Sequence, residues 1–191
     1  MILWINGAFG SGKTSTANEL NRRLPNSFIY DPENVGYFIR QNTNGLFAGG
    51  DFQDIPLWRE MNYQTLRMIT EKYDGTVIVP MTLVNPDYYS EIIGRLMSDG
   101  IDVKHYILYA ERDEIRRRLK KRSFLGFRNE NFALDAIDRC VKAFDKHITD
   151  VKIHVDDMSI DSVADRIASL SNLQLAPNKA KLRTCIQYKK C

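Results

Sequence analysis

The residues of this chain with the most definite chemistry lie within its first fifteen positions. Gly7, Ala8, Phe9, Gly10, Ser11, Gly12, Lys13 and Thr14 follow the spacing GxxxxGKT. The three glycines let the chain curl until successive N–H groups converge on phosphate oxygens, with no Cβ in the way. A helix beginning near Lys13 adds the positive end of its dipole, and Ser15 falls in its first turn. Lys13 is placed to bridge β- and γ-phosphates, and Thr14 to offer its hydroxyl to Mg²⁺, an ion that keeps several waters and rarely needs an all-protein cage. The spacing carries this meaning only between a strand and a helix. Met1 to Ile5 reads as a strand and Lys13 to Leu24 as a helix, so residues Gly7 to Ser15 are expected to hold ATP with Mg²⁺.

A second chemical signal is EIRRRLKKR, residues 114 to 122. Ile115 and Leu119 share one helical face, and Arg118 and Arg122, four apart, point the same way. Two guanidinium groups one turn apart can stack on a base and reach a transferring phosphoryl group. Arg116, Arg117, Lys120 and Lys121 read instead as a solvated face.

The acceptor side is marked by a carboxylate. The strand SFIY (27 to 30) ends directly in Asp31, whereas TVIV (76 to 79) ends in Val79 and Pro80 without an aspartate for Mg²⁺. Ligands of open parallel sheets bind beyond the carboxyl ends of the strands, beside the phosphate loop. Asp31 there suits a hydroxyl acceptor, because an alcohol must lose a proton as it attacks. A water-mediated Mg²⁺ contact and a turn-opening aspartate before Pro32 are the competing roles. Residues 41 to 56 read as a glycine-containing loop able to close over a substrate. Phe52, Gln53, Trp58, Arg59 and Tyr63 then supply aromatic faces and polar donors suited to a nucleobase and sugar, with core packing an equal reading for Trp58.

The elements that must position these groups alternate. Short apolar runs at 1 to 5, 27 to 30, 76 to 79, 105 to 109 and 151 to 155 are separated by segments of helical period, as in βαβ units. The runs lack the alternation of a half-exposed sheet, so the strands are expected to be buried on both faces. Pro86 to Asp99 and Ser159 to Leu170 read as helices, the first stopped by Gly100 and the second capped by Ser159 or Asp161. The expected fold is three-layer α/β with a five-stranded parallel sheet.

Composition bounds the rest. A chain of 191 residues, 43% hydrophobic and 27% charged, can bury one ordinary core. No apolar run approaches the roughly 18 to 20 residues of a membrane span, and a strand at the first residues leaves no space for a leader, so a cytoplasmic location is expected. Cys140, Cys185 and Cys191 show neither a disulfide nor a zinc spacing. Net charge is +3, yet Lys179, Lys181, Arg183, Lys189 and Lys190 all lie in residues 177 to 191, which leaves the body near −2. No nucleic-acid partner is implied. The expected organisation is a domain over 1 to 176, with a substrate-closing region near 32 to 73 and a lid near 118 to 139, followed by a basic tail.

With these residues in view, ILYAERDEIRRRLKKR after a strand-first phosphate loop resembles the nucleoside-monophosphate-kinase and small-molecule-kinase branch of P-loop proteins. That resemblance implies a short lid at 123 to 132, aims Arg139 of IDRC at the phosphates, and places the loop around Asp157 of VDDMSIDSVADRI at the adenine. Arg40 of GYFIRQ occupies a place similar to the acceptor-phosphate arginine of nucleotide kinases. A surface position or a glycan contact are its other readings. MILWINGAFGSGKT, YDPENVG, DFQDIPLWRE, VIVPMTLVNP, EIIGRL and IDRC together resemble the bacterial tunicamycin-resistance protein family over nearly the whole chain. The family implies ATP binding, protection from a uracil nucleoside that carries sugars and an acyl chain, and membrane attachment through a basic amphipathic C-terminus. In this tail Leu182, Cys185 and Ile186 form the only apolar stripe, so the expectation is at most weak peripheral contact at the inner face of the membrane. The expected activity is ATP-dependent phosphorylation of a hydroxyl of tunicamycin or a related antibiotic. ATP-dependent sequestration without transfer and a housekeeping nucleoside or nucleotide kinase remain as alternatives.

Overall fold

The computed structural model describes residues 1–47, 49–123 and 130–178. Strand β1, Ile2–Gly7, is buried along its whole length. It is flanked by β3, Thr76–Pro80, and β4, Val103–Tyr109; β2, Ser27–Ile29, and β5, Val151–His154, complete a five-stranded sheet of order β2-β3-β1-β4-β5. Every pairing is parallel, with Leu3 opposite Ile78 on one side and Lys104 on the other. The expected parallel sheet is therefore present. Its central strand runs directly into the glycine loop.

Strand periodicity builds the layers. Leu3 and Ile5 enter one core with Ala17 and Leu20 of α1 (Lys13–Arg23), and with Ala164 and Ile167. Ile2 and Trp4 enter the other with Trp58, Leu66, Ile92 and Leu96. Helices α2 (Glu33–Asn42) and α3 (Pro56–Lys72) form the wall on the second face, linked by a single 3-10 turn, Phe52–Asp54, within the segment expected to be loop.

The helix expected over 86 to 99 is interrupted. It comprises α4 (Pro86–Tyr89), a π turn at Ser90–Gly94 and α5 (Arg95–Ser98), and it ends at Gly100 with φ +78°. A π turn widens the register by one residue, which keeps Ile92, Ile93 and Leu96 all buried. The arginine-rich segment is α6 (Arg112–Ser123), followed by α7 (Glu130–Lys146) and α8 (Ile160–Leu170), the last capped by the Ser159 hydroxyl at 3.2 Å from the Ser162 N–H. After α8 the chain returns to α1, where the Ala176 N–H donates to the Arg23 carbonyl at 2.7 Å and Arg23 Nε donates to the Ala176 carbonyl at 3.0 Å. Among the described residues no helix is long and apolar enough to cross a membrane.

Candidate active site

The phosphate loop takes its shape from backbone that only glycine adopts easily. Gly7, Gly10 and Gly12 have φ of +143°, +84° and +100°. A Cβ on Gly7 would lie 2.6 Å from Ser11 Oγ and 2.7 Å from the Leu108 carbonyl oxygen. Gly12 starts α1 in the left-handed region with no side-chain cap, and the first turn of that helix holds no acid. The leading N–H groups of α1 are thus left for an external anion. Ser11 Oγ is buried and unpartnered, a second polar atom at the loop awaiting one. Lys13 Nζ folds back onto the Gly7 and Ala8 carbonyls at 2.9 and 3.1 Å, and lies over the half-exposed ring of Phe9. An uncapped helix, a lysine turned inward over the loop and an orphaned hydroxyl suit a nucleotide's phosphates.

The loop opens on a cleft of about 610 Å³. Phe9, Gly10, Gly12, Lys13, Thr14 and Ser15 form one wall, Pro80, Met81 and Thr82 the floor, and Glu33, Arg40 and Gly50 to Asp54 the opposite wall; Arg139 of α7 enters from the side. Arg139 makes no hydrogen bond or ion pair with the described residues, so its charge faces the cleft uncommitted. Beside it, Cys140 is buried and its thiol is pushed up to about 11 by desolvation, which keeps it protonated and inert.

A hydrogen-bond chain joins the two walls. Thr82 Oγ1 donates to the Gly7 carbonyl at 2.8 Å, the Thr82 carbonyl accepts from Gln53 Nε2 at 3.1 Å, and the Gln53 carbonyl accepts from Arg59 at 2.6 Å. Asp51 closes the 3-10 turn by accepting from the Gln53 N–H. Phe52 is seated where Gly36 has no side chain: a Cβ there would meet its ring at 2.7 Å. Arg40 lies over the same ring and donates to the Gly50 carbonyl at 2.7 Å.

Several residues singled out from sequence stand elsewhere. Trp58 is fully buried and donates to the Pro32 carbonyl at 2.9 Å; Tyr63 is buried, donating to Asp99 at 2.6 Å beneath the Arg95 guanidinium. Arg59 is paired with Glu91 at 2.6 Å and stacks on Tyr88. None of the three lines the cleft. Trp58 and Tyr63 belong to the second core and Arg59 is held by Glu91 and the Gln53 carbonyl, so the three build the wall that presents Phe52 and Gln53. Arg118 is also committed, donating to Glu114 at 2.6 Å and to the Val155 and Asp156 carbonyls at 2.8 and 3.3 Å. It fastens the turn after β5 and does not line the cleft. Arg117 and then Arg118 hold the Glu114 carboxyl down to about 2. Asp157, exposed on that turn, is not a cleft residue either; the Arg122 side chain and residues 124 to 129 of the expected lid lie outside the described residues.

Asp31 turns to the backbone and away from the cleft. Its Oδ1 accepts from the Glu33 N–H at 3.0 Å, opening α2, and it does not line the cleft. Glu33, two residues on, does, as do Asp51 and Asp54. The Tyr37 hydroxyl donates to Glu33 at 3.2 Å, and the Glu33 charge is the main cause that pushes that phenol's pKa up. Glu33 was missed in the sequence although the rule that drew attention to Asp31, position beyond a strand's carboxyl end, covers it equally. Thr82 was missed because only the fold shows that the residues after β3 lie under Gly7. No cluster of His, Cys, Asp or Glu able to hold a metal exists among the described residues, so Mg²⁺ here would rest on Thr14, phosphate oxygens and water.

Comparison with known proteins agrees with this fold. The model of a family described as AAA domain matches residues 2–147. The tunicamycin resistance protein of Deinococcus radiodurans superposes with a TM-score of 0.79 at 30% identity, over 93% of this chain and 98% of that one. The chain belongs to the tunicamycin-resistance family of P-loop kinase-like proteins. More distant likenesses to this family member support the fold alone. They include shikimate kinase of Bacteroides thetaiotaomicron, with TM-score 0.58, 20% identity and coverage of 91% and 99%. The APS kinase CysC of Mycobacterium tuberculosis, in complex with AMPPNP and APS, gives 0.56, 18%, 90% and 96%. No curated protein sequence matches. As a member of a kinase-like P-loop family, the chain is a kinase-like ATP-binding protein.

Proposed function

We propose that this protein protects against tunicamycin or a related nucleoside antibiotic by transferring a phosphoryl group from ATP to one of its hydroxyls. The observation that carries the reading is the cleft in which the phosphate loop faces Glu33, Arg40, Phe52 and Gln53. The name of the Deinococcus protein supports the choice of antibiotic. Residues Gly10 to Ser15 would hold the ATP phosphates and Thr14 the Mg²⁺, and the nucleotide supplies the group to be transferred.

The chain's own residues then have separable tasks. Lys13 exchanges the Gly7 and Ala8 carbonyls for phosphate oxygens, and Arg139 adds a second cation where charge accumulates during transfer. The Phe52 face and the Gln53 amide orient the acceptor. Glu33 takes the hydroxyl proton, while Asp31 holds Glu33 in place through its backbone N–H. Oriented in this way, the reaction gains from proximity as well as from charge.

Incubating the protein with ATP, Mg²⁺ and tunicamycin and weighing the product by mass spectrometry tests the reading. A product heavier by one phosphoryl group, with one ADP formed for each, is expected. Unmodified drug that nonetheless co-elutes with the ATP-loaded protein would replace transfer by sequestration.

A further inference from the structure

A buried polar chain runs beneath the phosphate loop, separate from the cleft. Asn6 is fully buried at the end of β1. Its Oδ1 accepts from two backbone groups, the Gly7 N–H at 2.8 Å and the Leu83 N–H at 3.0 Å. Because a backbone N–H can only donate, these bonds determine which end of the amide is oxygen. Nδ2 is therefore the donor, to the Leu83 carbonyl at 2.7 Å and to His105 Nε2 at 3.1 Å. His105 Nε2 must accept, so its proton sits on Nδ1, facing Asp150 Oδ2 at 2.7 Å. Tyr89 donates to the same oxygen at 2.8 Å and packs edge-on against the imidazole.

The groups facing the ring are thus Asn6 from β1, Tyr89 from α4, and Asp150 from the turn before β5, the last being the charged one. The His105 side chain is 1% exposed. The amide it orients ties Gly7, whose carbonyl holds both Lys13 and Thr82, to Leu83, just past the cleft floor.

We propose that His105 is a positioning residue for the nucleotide site: as the neutral Nδ1–H tautomer it orients the Asn6 amide that clamps the start of the phosphate loop to the segment after β3. A second proton on the ring sets an N–H donor against the Asn6 NH₂ donor. One of the two must turn away: the amide N–H facing the ring loses its acceptor while the other keeps the Leu83 carbonyl, and a buried donor left unsatisfied weakens the clamp. Protonation of the ring loosens the loop by this route, without touching any group in the cleft. The inference rests on the phosphate loop alone, so an absence of antibiotic phosphorylation would leave it standing.

The test is ATP affinity, measured by calorimetry with Mg²⁺ from pH 8 to 5.5 on the full chain. His105→Gln keeps an acceptor near the Nε2 position, whereas His105→Asn reaches only toward Asp150. The glutamine variant is expected to bind ATP within about threefold of wild type at pH 8, and the asparagine variant roughly tenfold more weakly. On acidification wild type should lose affinity relative to His105→Gln, a ratio that cancels protonation of ATP itself. Equal affinities and parallel pH profiles for wild type and both variants would overturn the proposal, as would equal losses in the two variants. Should His105→Asn fail to fold, Asn6→Asp replaces it: a carboxylate there favours the charged ring, so its ATP affinity relative to His105→Gln should rise as pH falls. A fall parallel to that of wild type contradicts the clamp.

Discussion

Lys13 spends its charge on two loop carbonyls until a nucleotide arrives, and its replacement isolates the electrostatic part of the reaction. Lys13→Ala is expected to lower transfer by about 10²- to 10³-fold or more, as with other single deletions of a preorganised charge or donor. Coupled ADP release gives the measurement. Glu33 and Asp31 separate base from support: Glu33→Gln should retain drug binding and slow transfer by roughly 10²- to 10⁴-fold. Asp31→Asn keeps an oxygen for the Glu33 N–H and should cost far less. Single-turnover rates decide, and the reverse order would return the base role to Asp31. Asp150 supplies a pH signature of stability. His105 is the first cause of its lowered pKa, and such a carboxylate stabilises the fold above its unfolded value near 4. The contribution is lost as pH falls through the lower folded value. Urea midpoints of wild type and Asp150→Ala should therefore differ at neutral pH and converge as pH falls below the ordinary carboxylate range.

Helix α2, the 3-10 turn and α3 act together as the acceptor wall, and Gly36 is where they meet. Alanine at Gly36 gains about 1 kcal/mol of helix propensity, but its Cβ must displace Phe52, an overpacking cost of about 1–3 kcal/mol. The difference is a net cost of up to about 2 kcal/mol, and the change in geometry remains. Gly36→Ala is expected to lower the urea midpoint modestly while raising the KM for the drug several-fold and leaving that for ATP unchanged. The buried Trp58 explains why the wall holds its form: it packs against Phe52 at 5.4 Å between ring centres and pins the start of α2 through Pro32.

Across the whole molecule, the end of the described chain is part of the fold. Leu173 and Leu175 pack against the first core, Ala176 exchanges two hydrogen bonds with Arg23, and Arg23 is paired with Asp165 of α8 at 2.7 Å. Truncation after residue 178 removes none of these contacts. Truncation after residue 172 should cost about 2 kcal/mol or more, the sum of two partly buried leucines and two hydrogen bonds. The five cations of the expected tail lie outside the described residues. Membrane contact through them, at about 1 kcal/mol per charge, predicts liposome cosedimentation that salt abolishes and the longer truncation removes.

The sequence by itself determined the phosphate loop, the parallel sheet and the family. Each is local or periodic: GxxxxGKT needs only neighbours in the chain, and five apolar runs between helical segments leave few ways to close. Only the tertiary structure decided which side chains face the ligand. Trp58, Arg59 and Tyr63 have the right chemistry for a nucleoside, yet burial and ion pairs claim them, because α3 turns that face inward. Arg118 lies on the anticipated face of its helix but fastens the turn after β5, a contact between residues 37 and 38 apart in the chain. Asp31 and Glu33 differ by two positions, and the turn that leads into α2 assigns one to the backbone and one to the cleft. The clamp of Asn6, Leu83, His105 and Asp150 joins residues 77, 99 and 45 apart. No periodicity within one element encodes such partners, since a buried donor finds its acceptor only when separate strands are brought side by side.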